Sequence, residues 1–489
     1  MNYPIVFRLL AYIQAAIALA LAVCGVFAFF VDESNHADAK VGFFFSAGIA
    51  MLLAAGFYFC GQTEQKRIFK KEALAVVGLS WVLASILGAL PFLWILQGIS
   101  LADAIFESTS GFTTTGASVL SNLEEMPRSL LLWRALMQWI GGLGVVVFFV
   151  AVLASLGAGG KILFSRESTS QSGELDSSRI QQGALQILYL YLGLSVLCAI
   201  SFWLCGLGAF DAIAHTFTTI STGGYSTRSS SVGAFENPAL EWTVIAFMII
   251  GGTNFLVMLR VIRGNWRSLR HATEVKIYLL IIFAISLLAS LDIYRSGLGQ
   301  NLEEVLRQGT FQTVSLLTTT GFGTTDYDSW MPAGQMLMLF CMIIGGCSGS
   351  TSGSTKVIRY IIAFRMVVQE TEKAFRSKVV RPLQVNRTTI NIQTQVSTVI
   401  YIFALAALTL MGIIVVGHLE PHLSVNGVVS SVVSTLYNIG PGFAEVGPTE
   451  NFSILSSPTK ILLSVFMIVG RIEIYPVLVL CFPSLWRKY

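Results

Sequence analysis

Residues 311–323 read FQTVSLLTTTGFG, a short apolar run that passes into three threonines and two glycines. The same device recurs at 106–118 (FESTSGFTTTGAS), 214–226 (AHTFTTISTGGYS) and 432–443 (VVSTLYNIGPGF). Aligned on their central glycines, the four read Thr114-Thr115-Gly116, Thr222-Gly223-Gly224, Thr319-Thr320-Gly321 and Asn438-Ile439-Gly440, with 108, 97 and 119 residues between successive glycines. One TTG in a chain with 44 glycines is an ordinary turn. Four at near-regular spacing, each behind a segment too short to cross a bilayer, define an internal repeat.

The surroundings of these stretches are apolar. Of 489 residues 54% are hydrophobic and 12% charged, with mean hydropathy +0.71, where a soluble domain carries about 25% charged residues. Runs long enough to cross about 30 Å of hydrocarbon lie near 5–31, 41–60, 73–97, 131–156, 183–206, 239–262, 274–296, 334–364, 393–417 and 459–484. The expected fold is therefore an all-α polytopic membrane protein of ten spans. The segments near 101–115, 209–222, 301–320 and 424–439 are read as four re-entrant helices. The first run exceeds the roughly 7 to 15 residues of a signal-peptide core and reads as a retained span. The expected organisation is an N-terminal pair of spans (1–72) and four fused span, pore-helix, span repeats at 73–182, 183–273, 274–392 and 393–489.

Charge sets the sidedness. One set of alternate loops, with Arg8, Lys66, Arg67, Lys70, Lys71, Lys161, Arg166, Arg179, the 260–276 and 356–387 groups, Arg487 and Lys488, holds 23 of the 31 Lys and Arg. The opposite loops are acidic, with Asp32, Glu33, Asp38, Glu124, Glu125, Glu236, Glu241, Asp326, Asp328, Glu445 and Glu450. By the positive-inside rule both termini are cytoplasmic and all four short segments enter from outside. Four re-entrant segments on one face mean parallel repeats around one axis, which is the geometry of a pore. Non-helical backbone at membrane depth is tolerated only where it lines water or is buried in protein. Four converging stretches can aim carbonyl oxygens at an axis in place of a cation's hydration shell, glycine permitting the backbone angles. Each short helix also ends there, its negative dipole end favouring a cation.

The span 334–364 is interrupted by GGCSGSTSGSTK (345–356), too dense in small polar residues for lipid-facing helix, and reads as a pore-facing loop. It lacks the glycine before lysine that a phosphate-cradling loop needs. Arg471, about twelve residues into the last apolar run, should face the pore or a partner, as a barrier or as a structural donor to loop carbonyls. The seven cysteines lie mostly in apolar runs and read as free thiols, the lone His215 reads as a packing residue, and no spacing marks an acid, base or metal centre. With a net charge of +4 and no aromatic-interleaved basic stripe, a nucleic-acid partner is not expected. An enzyme or receptor is the remote alternative.

Taken together, the TTTG-type stretches, the broken span IGGCSGSTSGSTKVIR and the late FMIVGRIEIYPVLVL resemble the Trk/Ktr/HKT superfamily of potassium transporters over essentially the whole chain, its bacterial TrkH type above all. The resemblance implies a non-enzymatic potassium-uptake protein of the bacterial inner membrane with a channel-like pore. It implies a homodimer embedded in lipid, whose cytoplasmic face docks nucleotide-binding regulatory subunits of the TrkA type, with no covalently bound cofactor and nucleotide only on that partner. Potassium would be held by the filter residues Thr114, Thr115, Gly116, Thr222, Gly223, Gly224, Thr319, Thr320, Gly321, Asn438, Ile439 and Gly440. The gate would be Gly345, Gly346, Cys347, Ser348, Gly349, Ser350, Thr351, Ser352, Gly353, Ser354 and Thr355, with Arg471 obstructing the path. Relatives with serine at the first filter glycine tend to pass sodium, so Gly116 leans to potassium. Gly323 departs from the family's usual GFTTD and predicts a looser outer mouth in the third stretch. A sodium- or proton-coupled symporter stays open beside the gated pore. Glu107 is the one carboxylate read near the filter, and residues 356–387 are the expected docking surface.

Overall fold

The computed structural model describes residues 1–32, 37–62, 70–155, 177–299, 301–376, 382–386 and 388–483. Of the charges used above for sidedness, Glu33, Lys66, Arg67, Lys161, Arg166, Lys378, Arg381, Arg387, Arg487 and Lys488 lie outside the described residues. Among the described residues the one strand pairing is a two-residue antiparallel ladder, Gln384–Val385 with Thr388–Thr389, in the basic loop.

The N-terminal pair is α1 (Tyr3–Val31) and α2 (Ala37–Cys60). Next come α3 (Lys70–Ile95), the short α4 (Leu101–Phe112) and α5 (Arg128–Ser155), then α6 (Ser177–Leu204), the short α7 (Ala209–Ile220), α8 (Pro238–Gly251), α9 (Phe255–Ile262) and α10 (Arg267–His271). They are followed by α11 (Thr273–Ser296), the short α12 (Leu302–Leu317), α13 (Pro332–Ile344) and α14 (Val357–Phe375), then α15 (Ile392–Leu419), the short α16 (Val425–Leu436), α17 (Ser457–Arg471) and α18 (Ile474–Cys481).

Among the described residues six helices, α1, α2, α3, α6, α11 and α15, are long and apolar enough to cross a bilayer alone. At 28 residues α5 reaches about 42 Å. Three other expected spans are helix pairs: α8 with α9, α13 with α14, and α17 with α18. The middle pair is the interruption read from sequence. The other two correct the expectation of continuous spans at 239–262 and 459–484. The α8/α9 pair bends by 101°, where Gly252 ends α8 and Asn254 caps α9 by accepting from the Leu256 and Val257 amides. The α17/α18 pair breaks at Ile472 and Glu473, the latter at φ +66°.

The four short helices are buried at the centre, and their polar residues, such as Ser108, Thr109, Ser110, Thr218, Thr219, Ser315, Ser434 and Thr435, are sealed from solvent. The four loops that follow the short helices bind each other in chain order and close a ring. Glu124 accepts from the Ser229 amide and hydroxyl. The Gly233 amide donates to the Gly323 oxygen (3.1 Å). Asp328 accepts from the Ala444 amide (2.8 Å), and the Phe452 amide donates to the Ser118 oxygen (2.9 Å). Gly323 is thus held through its oxygen, and its own amide donates to Ser231 (3.2 Å). The looser mouth expected there is corrected: the inserted glycine is a bridging point between two loops.

Burial, with Asp326 and Glu445 close by, pushes the Asp328 carboxyl up to about 6, against the opposing pull of the Ala444 amide. A carboxyl raised on folding contributes stability that is complete below its ordinary pKa near 3.8 and is lost as pH rises through about 6. Relative to Asp328→Asn, the wild-type protein should therefore lose melting temperature between about pH 4 and pH 6 and level off above that, as followed by thermal unfolding in detergent; parallel profiles would exclude this linkage.

Candidate functional site

Each short helix ends in the same way. Its last residue is followed by a cap (Thr113, Ser221, Thr318, Tyr437) and then by a residue in the left-handed region: Thr114 at φ +51°, Thr222 at +53°, Thr319 at +57° and Asn438 at +56°. The next amide bonds back to the last turn, Thr115 to Ser110, Gly223 to Thr218, Thr320 to Ser315 and Ile439 to Ser434, at 2.8–2.9 Å. The left-handed residue's own amide bonds to the following carbonyl, of Gly111, Thr219, Leu316 and Thr435. These are Schellman closures, which ordinarily place glycine in the left-handed position. β-branched threonine there is an outlier costing about 1–3 kcal/mol, the kind of strain that concentrates at functional sites.

Two residues on, the handedness returns: Gly116 at φ +85°, Gly224 at +79°, Gly321 at +80° and Gly440 at +111°. The sequence alignment of the four stretches is thus matched residue for residue by the backbone. Glycine is required here for a second reason. A Cβ on Gly116 would overlap the Gly223 oxygen, one on Gly224 the Thr320 oxygen and one on Gly321 the Ile439 oxygen, while one on Gly440 would sit 2.9 Å from the Thr115 oxygen. Each glycine abuts the middle carbonyl of the next stretch, and the fourth returns to the first. The stretches therefore close one ring in chain order. Among the described residues no hydrogen bond reaches the carbonyl oxygens of Thr114, Thr222, Thr319 or Asn438, nor those of Thr115, Thr320 or Ile439. Threonines 114, 115, 222, 319 and 320 and Asn438 are fully buried. Buried carbonyls without donors are rare and call for a ligand.

The 345–355 loop lies against the inner ends of the short helices. Thr351 donates its hydroxyl to the Ile220 oxygen (3.0 Å), Gly353 its amide to Thr319 Oγ1 (2.6 Å) and Ser354 its amide to the Tyr437 oxygen (3.0 Å). It also bonds the α8/α9 break, through Cys347 to Gly252 and Thr351 to Gly251. Left-handed turns at Gly345, Gly349, Ser354 and Lys356 make this path possible. Lys356 folds its ammonium back onto Ser352.

Arg471 is buried and donates Nη1 to the Thr351 oxygen (2.7 Å), while its Nε and Nη2 have no partner among the described residues. Of a five-donor fork, one bond is in use. Glu473 turns away to pair with Arg359 at 2.5 Å. Glu107 is not an isolated acid. It forms a buried pair with Arg134 (2.8 Å), accepts from Ser118 and the Val119 amide, and Arg134 lies 4.0 Å from the Tyr225 ring centre. His215 is saturated between the Asp211 oxygen and Ser226. Among the described residues no group of three or more His, Cys, Asp or Glu could hold a metal ion.

Three participants escaped the sequence reading. Glu274, in the first turn of α11, accepts from the Ser348 amide (2.6 Å) and hydroxyl (2.8 Å) and so grips the loop from the far side. Asn254 donates to the Ser348 oxygen (2.6 Å). Gln138 on α5 donates to the Gly223 oxygen (2.7 Å). A second repeat also went unread, though it marks none of these three: Ile140-Gly141-Gly142, Ile250-Gly251-Gly252, Ile344-Gly345-Gly346 and Val469-Gly470-Arg471. A Cβ on Gly141 or Gly470 would overlap the Phe112 or Leu436 oxygen at a short-helix end. Arg471 stands where the other three copies have their second glycine.

A cation transport protein family, TrkH, matches residues 43–488. The Trk system potassium uptake protein TrkH of Halomonas elongata is 32% identical over 456 residues, 91% of this chain and 92% of that protein. The Trk system potassium uptake protein TrkI of the same organism is 34% identical over 451 residues, 91% and 90% of the two chains. The crystal structure of the potassium transporter TrkH from Vibrio parahaemolyticus superposes with a TM-score of 0.90 at 29% identity, covering all of both chains.

The ring geometry separates glycines of different duty. Gly224→Ala, at positive φ and against the Thr320 oxygen, should destabilise by about 2 kcal/mol or more. Gly323→Ala, with nothing within 4 Å of the added carbon, should stay within about 0.5 kcal/mol. Thermal unfolding of both variants checks this, and equal losses would contradict it.

Proposed function

The chain belongs to the TrkH family of cation transport proteins, and from that membership we propose that it takes up potassium through a pore whose filter is the ring of four stretches. The observation that carries this is the closed ring of buried, left-handed backbone whose middle carbonyls, three of the four without a hydrogen-bond donor, crowd the neighbouring glycines. Backbone oxygens gathered at the ends of four helix dipoles suit a monovalent cation stripped of water. Residues 114–116, 222–224, 319–321 and 438–440 hold the ion in this reading, in four repeats bounded at 72/73, 182/183, 273/274 and 392/393. Membership of a cation transport family leaves the enzyme and receptor alternatives without support.

The loop 345–355 is the gate beneath the filter. Its bonds to three of the four short-helix ends support that role. Arg471 is the charge barrier. Its single bond to Thr351 speaks against a scaffold that needs the whole guanidinium. Relatives named for the Trk system imply further Trk subunits. We assign the chain as a homodimer of the bacterial inner membrane with both termini cytoplasmic. A TrkA-type nucleotide-binding partner docks on the basic 356–387 segment, of which Lys356, Arg359, Arg365, Lys373 and Arg376 are described. The engagement of Glu107 by Arg134 argues against Glu107 as a coupling proton site.

Rubidium uptake into liposomes holding only this protein tests the function. Uptake driven by the rubidium gradient alone supports the pore, and strict dependence on an imposed sodium or pH gradient would establish symport instead. Gly116→Ser should lower potassium preference over sodium, since the new side chain meets the Gly223 oxygen; an unchanged ratio would remove Gly116 from the filter.

Arg471 makes a separate prediction. A unit charge about 4 Å from a passing cation opposes it by roughly 4 kcal/mol at an effective dielectric near 20. Arg471→Gln should raise basal flux, and Arg471→Lys should keep most of the block, because one donor suffices for Thr351. Lower flux in a well-folded Arg471→Gln protein would refute the barrier.

A further inference from the structure

The four stretches share a backbone but not a bracing. In the first and third, the cap residue and the residue two further on clasp hydroxyls, Thr113 with Thr115 and Thr318 with Thr320, each pair 2.7 Å apart. The clasp spans the left-handed residue and fixes the peptide that follows it. The second stretch has Ser221 and Gly223 at these positions; the Ser221 hydroxyl bonds back to the Phe217 oxygen (2.7 Å), as Thr113 does to Thr109 and Thr318 to Val314, but position 223 offers no hydroxyl to clasp it. The fourth has Tyr437 and Ile439. In both, a buried carboxamide replaces the clasp. Asn438 donates to Thr115 Oγ1 (2.9 Å) and to the Met467 oxygen (2.8 Å). Gln138 reaches in from α5, donates Nε2 to the Gly223 oxygen (2.7 Å) and accepts from the Tyr225 amide on Oε1 (3.1 Å).

Gln138 and Gly223 are complementary. A Cβ at position 223 would collide with the Gln138 carboxamide, so the amide fills the space of the side chain that this stretch lacks. Gln138 is fully buried, and the oxygen it holds is the one lying against Gly116 in the ring.

We propose that Gln138 is a specificity-determining positioning residue, which tunes the second quarter of the filter by holding the Gly223 oxygen. This rests on the reading of the ring as a cation filter. A carbonyl has two lone pairs, and the Gln138 amide engages one of them. Without that bond the oxygen moves more freely and concentrates its charge on the ion. Whether selectivity arises from cavity size or from ligand field strength, both changes favour the smaller cation. Gln138 thus shifts discrimination toward potassium and against sodium without touching the ion.

The test is the ratio of rubidium to sodium uptake in liposomes containing the full chain, with thermal unfolding measured alongside. Gln138→Met keeps the length and removes both bonds. It should lower the ratio about fivefold, the factor expected for one net hydrogen bond. A purely structural role would lower melting temperature and the uptake of both ions together, leaving the ratio at the wild-type value. A second variant, Gln138→Leu, removes the same two bonds with a different packing shape. A ratio that falls as it does in Gln138→Met supports the proposal, and a folded Gln138→Leu protein with the wild-type ratio overturns it. Gly116→Ser separates the two levels of inference. If it shifts the ratio while Gln138→Met does not, the brace is refuted and the filter stands; if neither shifts it, both fall.

Discussion

A helix that stops inside a protein leaves its last carbonyls without partners, and at membrane depth water is not there to supply them. This chain stops four helices at one place. The Schellman closures bond two carbonyls of each last turn, and the left-handed Thr114, Thr222, Thr319 and Asn438 are the cost of making those turns so tight. What remains is a set of oxygens that no hydrogen bond reaches among the described residues. The strain, the glycines that abut the next carbonyl and the burial of hydroxyl-rich helices all follow from placing those oxygens together.

The second helix of each repeat answers the same requirement from outside the ring. Gly141 and Gly470 let a backbone come close beneath the Phe112 and Leu436 carbonyls, where any side chain would overlap them. In the third repeat the helix opens into the 345–355 loop, which brings its own donors to the Ile220 and Tyr437 carbonyls and to Thr319. A loop seated this way is held by a few bonds that water can replace. Glu274 and Asn254 then act as an inner grip on Ser348, which keeps the loop seated without adding contacts to the ring.

Fourfold repetition is therefore only approximate, and the departures carry the chemistry. Hydroxyl clasps in two stretches alternate with carboxamides in the other two, so neighbouring quarters are stiffened by different groups. The arginine appears once, in place of a glycine. A pore built of four identical chains repeats every side chain fourfold. One chain carrying four like stretches can instead set a single charge and a single loop among them.

The sequence by itself determined the membrane class, the four stretches with their register, the interrupted span and the exceptional arginine, because each leaves a local mark: a run of apolar residues, a recurring glycine, a charge among hydrocarbons. It did not reveal the breaks at Gly252 and Glu473, since an apolar run reads the same whether its axis is straight or bent. Nor did it mark Gln138, Glu274 or Asn254, whose partners lie 85, 74 and 94 residues away, or foresee that Gly323 would be tied at both ends. Hydrogen bonds between distant segments depend on which backbone atoms packing has left without a donor. That is decided only when the four helix ends meet.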